Sequence, residues 1–225
     1  MIIAIDGPSG AGKSTVAKAV AKELGFNCLD TGAMYRAIAW MALHDGVSFE
    51  DAAALGHIAS QKRIEFLCNA AEVLPRQVLI DGNDVTDAIR SSEIDKAVSA
   101  VAAQPAVRTA LVDQQRCIGA TGNFVVEGRD IGTVVFPDAQ VKVFLTASDE
   151  ERAHRRVRQN VDRGIGSIDY AEVLADIRRR DDYDSGRTHA PLCAADDAIM
   201  LDSTDCFIED VIGRICDAAR SKMGV

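Results

Sequence analysis

Eight residues near the start of the chain constrain it more than any others: Gly7-Pro8-Ser9-Gly10-Ala11-Gly12-Lys13-Ser14 matches the pattern G-x-x-x-x-G-K-[ST] in full. An apolar run, Ile2–Asp6, leads into it. Val16, Val20 and Leu24 follow at helical spacing, with Gly25 as a stop. The segment therefore reads as strand, loop and helix, the form in which such a loop binds anions. Glycines let backbone N–H groups turn inward around a phosphate, and the helix N-terminus adds its partial positive charge. Gly7, Pro8, Ser9, Gly10, Ala11, Gly12, Lys13, Ser14 and Thr15 are the expected ATP-binding residues. Lys13 can reach the β- and γ-phosphates, and the Ser14 hydroxyl can bind Mg²⁺. A glycine-rich turn with no ligand is the alternative, and the strand and helix on either side argue against it.

The rest of the chain alternates short apolar runs with helical patterns, as a parallel α/β sheet does. Candidate strands are Ile2–Asp6, Phe26–Leu29, Phe124–Glu127, Val141–Thr146 and Asp197–Leu201. Ser148 with Glu151 and Asp169 with Glu172 have capping-box spacing, and Phe207, Val211 and Ile215 mark a C-terminal helix. The alternation breaks over 62–90. There Lys62–Leu67, Gln77–Ile80 and the pair Asp81-Gly82 read as a hairpin, and a helix follows near Ser92–Ala103. The expectation is one domain, 1–225, built on a parallel five-stranded sheet flanked by helices. A lobe inserted at about 32–105 and a short mobile lid at 152–168 complete it.

The 225 residues carry a formal net charge of −9, which argues against general nucleic-acid or acidic-membrane binding. The charge is uneven. Residues 152–187 hold nine arginines against seven acids, a net +2, leaving −11 for the rest. A local basic stretch in an acidic protein fits a small polyanionic ligand, although solvated helix faces with i,i+4 pairs give the same pattern. Cys28, Cys68, Cys117, Cys193, Cys206 and Cys216 form no metal-binding spacing. Most have apolar neighbours, so buried reduced thiols in a cytoplasmic protein are expected. The four histidines lack ligand spacing and read as surface or packing residues, and Met34, Ile38 and Met41 as core. The start of the sequence does not have the build of a signal peptide. No run of about 18 apolar residues occurs, so no membrane span is expected. A monomer is the default.

A phosphate loop alone leaves many functions open. No asparagine is followed by lysine, so the guanine-reading Asn-Lys-x-Asp of GTPases is missing. The third strand ends in Val125-Val126-Glu127 with Gly128-Arg129-Asp130 after it. An arginine there points to anion binding and away from a water-activating ATPase, which usually orders its metal with an aspartate at that strand end.

The second strand runs into Leu29-Asp30-Thr31-Gly32-Ala33-Met34-Tyr35-Arg36. Together with Gly7–Thr15 this resembles the cytidylate kinase family of the nucleoside-monophosphate kinase fold. Four further blocks agree: Ile89-Arg90 with Ser99 and Arg108; Glu127-Gly128-Arg129-Asp130-Ile131-Gly132-Thr133-Val134-Val135-Phe136-Pro137; Glu151-Arg152-Ala153-x-Arg155-Arg156; and Arg180-Asp181-Asp182-x-Asp184-x-x-Arg187. The likeness spans nearly the whole chain. It implies transfer of the γ-phosphate of ATP to CMP or dCMP with Mg²⁺, ATP and CMP/dCMP being the small-molecule partners. By resemblance, Arg36, Arg129 and Arg187 hold the CMP phosphate with help from Thr31. Asp130 with Ser99 faces the cytosine N4 donor, Arg108 faces O2 and N3, and Arg180 and Asp184 contact the ribose. Arg155 and Arg156 are the expected catalytic arginines of the lid, beside Lys13. Glu127 stands where the family often has aspartate, and Thr31 where serine is common. Two rival readings remain, a kinase for another small acceptor such as UMP and a non-catalytic nucleotide-binding protein with the same loop.

Overall fold

The computed structural model describes residues 1–67 and 74–224. The chain divides into two compact units, one made of Met1–Cys28 with the chain from Gly122 onward, the other of Leu29–Thr121. The 32–105 stretch falls inside the second unit, which also takes in a further long helix.

The first unit is built on the sheet. Its strands are β1 (Ile2–Asp6), β6 (Phe124–Gly128), β7 (Val141–Thr146), β8 (Ile199–Asp202) and the first half of β2 (Asn27–Asp30), within which the chain passes to the second unit; the sheet order is β2-β6-β1-β7-β8. The pairs β1–β6, β1–β7 and β7–β8 are parallel. Ile3, Ile5, Val125, Val126, Val143, Leu145 and Leu201 are buried in it, which is why these strands read as apolar runs. α1 (Lys13–Leu24) and α8 (Ile208–Met223) add Val16, Val20, Val211 and Ile215 to the core. Phe207 does not join them. It precedes α8 as the cap residue and is 78% exposed, so the expected stripe begins one turn later, at Val211. α6 (Asp149–Arg163) and α7 (Tyr170–Ser185) form a helical hairpin around Ala153, Val173 and Ile177, with His154 stacked on Tyr170 at 4.5 Å. Ser148 and Asp169 cap them through the Glu151 and Glu172 amides, as the spacing predicts.

The second unit packs α2 (Thr31–His44), α3 (Ala52–Gln61), α4 (Ser92–Ala103) and α5 (Pro105–Gly119) beside a small antiparallel sheet of β3 (Ile64–Leu67), β4 (Gln77–Ile80) and β5 (Asn83–Asp84). Asp81-Gly82 makes the two-residue turn between β4 and β5, and both residues have positive φ (47° and 79°). Met34 and Ile38 are fully buried, and Met41 is half-buried.

The cysteine expectation fails in part. Cys28 and Cys216 are buried, but Cys117, Cys193 and Cys206 are exposed, and Cys68 lies outside the described residues. Apolar sequence neighbours do not decide which side of a helix or loop a thiol occupies. His44, His57, His154 and His189 are all exposed. Among the described residues, no group of three or more His, Cys, Asp or Glu could hold a metal ion, and no helix is long and apolar enough to cross a membrane.

Candidate active site

In the first unit the register of the sheet sets the site. Asp6 pairs with Gly128, so the phosphate loop leaving β1 and the Arg129 turn leaving β6 start side by side at the same sheet edge. Gly7 has φ 150°, and a Cβ there would stand 1.9 Å from the Leu145 carbonyl oxygen of β7. Only glycine lets the loop leave the sheet at this point. Gly12 takes a left-handed conformation before α1, and no side chain caps that helix end.

Lys13 is buried and its Nζ donates to the Pro8 carbonyl at 2.7 Å. Burial and, after it, the positive charge of Arg129 bring its pKa down to about 7. Glu127, Asp6 and Asp181 pull the other way. Lysine and arginine thus share one locus. The Ser14 hydroxyl donates to Glu127 Oε2 at 2.7 Å. The sequence reading placed Glu127 at the end of this strand, and the structure sets its carboxylate against the Ser14 hydroxyl. The signal, an acid directly after an apolar strand, was present in the chain.

The acceptor residues of this unit also meet. Arg129 Nε donates to Asp184 Oδ2 at 2.9 Å, and Arg187 pairs with Oδ1 of the same carboxylate. Asp184 is buried, so it organises two of the three arginines expected at the acceptor phosphate. Its assigned ribose contact would draw on the lone pairs left over. Asp130 is buried, and its backbone oxygen accepts from Val134 and Val135. Arg180 is half-buried on α7.

The arginines of α6 separate into two kinds. Arg152 is buried. It donates to the Ala147 and Ser9 carbonyls (3.0 and 2.9 Å) and pairs with Asp181 at 2.6 Å and with Asp149. It braces the phosphate loop from beneath. Asp181, whose pKa burial raises against the pull of Arg152 and the Ser9 backbone N–H, belongs to the same brace. Arg155 donates to Ser203 O at 2.6 Å and to Ala11 O at 3.4 Å, and pairs with Glu151. Arg156 reaches Ser9 Oγ at 3.3 Å, and Arg163 is exposed at the helix end. Both expected lid arginines therefore lie against the loop. Asp181, Ser203 and Asp6 are participants that the sequence reading missed. They act through contacts across 29 to 192 residues, which no local pattern displays.

In the second unit, Thr31 opens α2 and is buried, with Asp30 capping the helix through the Ala33 amide at 3.0 Å. Arg36 pairs with Asp95 of α4 at 2.5 Å and donates to Ile89 O. Arg108 of α5 lies 5.7 Å from the Tyr35 ring and donates to Ala102 O. Ser99 is half-buried on α4.

A parallel sheet with a lysine-bearing phosphate loop, beside a turn carrying an arginine and a buried aspartate, defines a P-loop phosphotransferase. The chain belongs to the cytidylate kinase family, whose model matches residues 3–221. It is 46% identical over 222 residues to the cytidylate kinase of Saccharophagus degradans, covering 99% of this chain and 98% of that one. Identity to the cytidylate kinase of Desulfitobacterium hafniense is 48% over 221 residues, covering 98% and 93%. A solved structure of an uncharacterized protein from Eubacterium ventriosum shares the fold, with TM-score 0.51 at 12% identity over 98% of this chain and 99% of that one.

Proposed function

We infer that the protein transfers the γ-phosphate of ATP to CMP or dCMP, giving ADP and CDP or dCDP. Within the first unit, the observation that carries this reading is the pairing of Asp6 with Gly128, which starts the Lys13 loop and the Arg129 turn side by side. Phosphoryl transfer needs in-line placement, neutralised charge and little water. Lys13 would hold the β- and γ-phosphates, and Arg36, Arg129 and Arg187 with Thr31 the acceptor phosphate. Asp130, Ser99 and Arg108 would read cytosine, and Arg180 and Asp184 the ribose. Segment 152–168, with Arg155 and Arg156, would act as the lid, and 32–105 as the inserted monophosphate-binding lobe. The attacking phosphate is already an anion, so no general base is needed.

The pair formed by Ser14 Oγ and Glu127 Oε2 suits Mg²⁺, a hard cation that takes oxygen donors and usually keeps phosphate oxygens and waters as its other ligands. When bound with ATP, the ion would neutralise charge developing on the transferred group. We place the protein in the cytoplasm as a monomer acting on small molecules alone. ADP release that depends on added CMP tests the reading. ADP release independent of any acceptor, or equal with UMP, would replace it with one of the two rivals.

A further inference from the structure

We propose that Asp6 is the positioning residue of the base-reading turn, holding Asp130 at the angle from which it selects cytosine. This rests on the reading of Asp130 given above. Asp6 is the last residue of β1 and is 4% exposed. Its two carboxylate oxygens accept separately from the Ile131 and Gly132 amides, each at 2.7 Å. These are the two N–H groups directly after Asp130. On the other side of Asp130, Gly128 is locked in the sheet opposite Asp6 itself. The five residues 128–132 are thus fastened at both ends to one aspartate and its strand.

The carboxylate is expensive where it sits. Burial raises its pKa to about 6 in spite of the two amides, with the Asp130 charge adding to the rise and Lys13 opposing it. A strand end needs no charge to pack, and an apolar residue there would avoid this expense. What the aspartate alone supplies is two acceptors in one plane. Asparagine has one acceptor, and its NH₂ would face an N–H. The turn is also close-fitting on its far side. A Cβ on Gly132 would meet Lys142 Cδ and Cγ at 3.2 and 3.3 Å, and Asp6 Oδ2 at 3.5 Å. A polar reader misplaced by a fraction of an ångström loses its discrimination, because recognition sites work within narrow tolerances.

Asp6→Asn, Asp130→Asn and the double variant, assayed for kcat/KM with CMP and with UMP and for the ATP KM, test the proposal. The Asp6→Asn variant should lose about tenfold in the CMP/UMP ratio, with the ATP KM within about twofold. The double variant should show no further loss of ratio beyond Asp130→Asn alone, since Asp6 acts through Asp130. Equal losses on CMP and UMP, a raised ATP KM, or additive losses in the double variant would make Asp6 a general support of the phosphate loop and overturn the proposal. If Asp130→Asn leaves the ratio unchanged, the base-reading assignment falls and this inference with it. If Asp130→Asn shifts the ratio and Asp6→Asn does not, this inference alone falls. Should Asp6→Asn fail to fold, Gly132→Ala decides. It presses the same turn against the stem of Lys142, which its ion pair with Asp197 holds in place, and a several-fold loss of ratio at a near-parental melting temperature supports the proposal. An unchanged ratio refutes it.

Discussion

The two turns that leave β1 and β6 begin at paired residues of one sheet, yet they are built in opposite ways. The loop from Gly7 to Gly12 works through backbone. Its glycines take conformations closed to other residues, and the charged side chain that follows it, Lys13 at the start of α1, is folded back onto the loop's Pro8 carbonyl. The turn from Gly128 to Val135 carries two charged side chains, Arg129 and Asp130; Asp184 holds the first, and Asp6 holds the backbone amides of Ile131 and Gly132 that follow the second. Backbone amides recognise any phosphate. Placed side chains can tell one base from another, but only if other residues aim them. On the function proposed above, generality would reside in the first turn and selectivity in the second.

That contrast can be broken or sharpened by experiment. The largest effect is expected for Lys13→Ala, which should cost on the order of 10²–10³ in kcat with every acceptor alike and leave the melting temperature close to that of the parent. Activity within a few-fold of the parent would remove the donor role. Asp130→Asn should leave the ATP constants nearly unchanged and shift the CMP/UMP ratio of kcat/KM by roughly ten- to a hundredfold, since one good polar pair discriminates by about 1–3 kcal/mol. A uniform loss on both acceptors would reduce Asp130 to a support for Arg129. Glu127→Gln should weaken activity about tenfold at limiting Mg²⁺ and be rescued as the ion is raised. No change in the Mg²⁺ requirement would separate Glu127 from the metal.

The smallest effect is one of pH. The pKa of Lys13 is lowered to about 7. Between that value and the ordinary lysine value of 10.5, the unfolded chain holds a proton that the folded chain has released, so this group makes the fold more stable as pH rises across that window. ATP favours the charged lysine. Its binding should therefore weaken a few-fold from pH 6.5 to 7.5 and take up a proton at pH 8 but not at pH 6. Calorimetry in buffers of different ionisation enthalpy measures that uptake, and its absence would mean that Lys13 is already charged.

The same contrast explains what the sequence could tell. β1, β7 and α4 have the bounds that the residue pattern predicts, and the two expected caps form, because strand burial and capping are local events. The phosphate loop was legible for the same reason: its function is carried by consecutive residues. The acceptor turn was legible only through resemblance. Nothing in the spacing of Asp6, Arg129, Asp184 and Arg187 announces that they meet. Arg152 looks in sequence like Arg155 and Arg156, and only its burial shows it to be a brace of the loop. α3 and α5 were not expected from the sequence, although Asp51 caps the first and Pro105 opens the second. Phe207 was misplaced because a stripe of apolar residues does not reveal where the helix begins.

The thiols that proved exposed have a practical consequence. Cys117 stands on α5 in the Leu29–Thr121 unit, and Cys193 stands in the other unit between α7 and β8. With Cys68 and Cys206 changed to serine, and Cys28 and Cys216 shielded by burial, the protein presents one reactive handle on each unit. A donor dye on one and an acceptor dye on the other would turn the chain into its own ruler, reading the separation of its two halves as ATP, CMP or both are added.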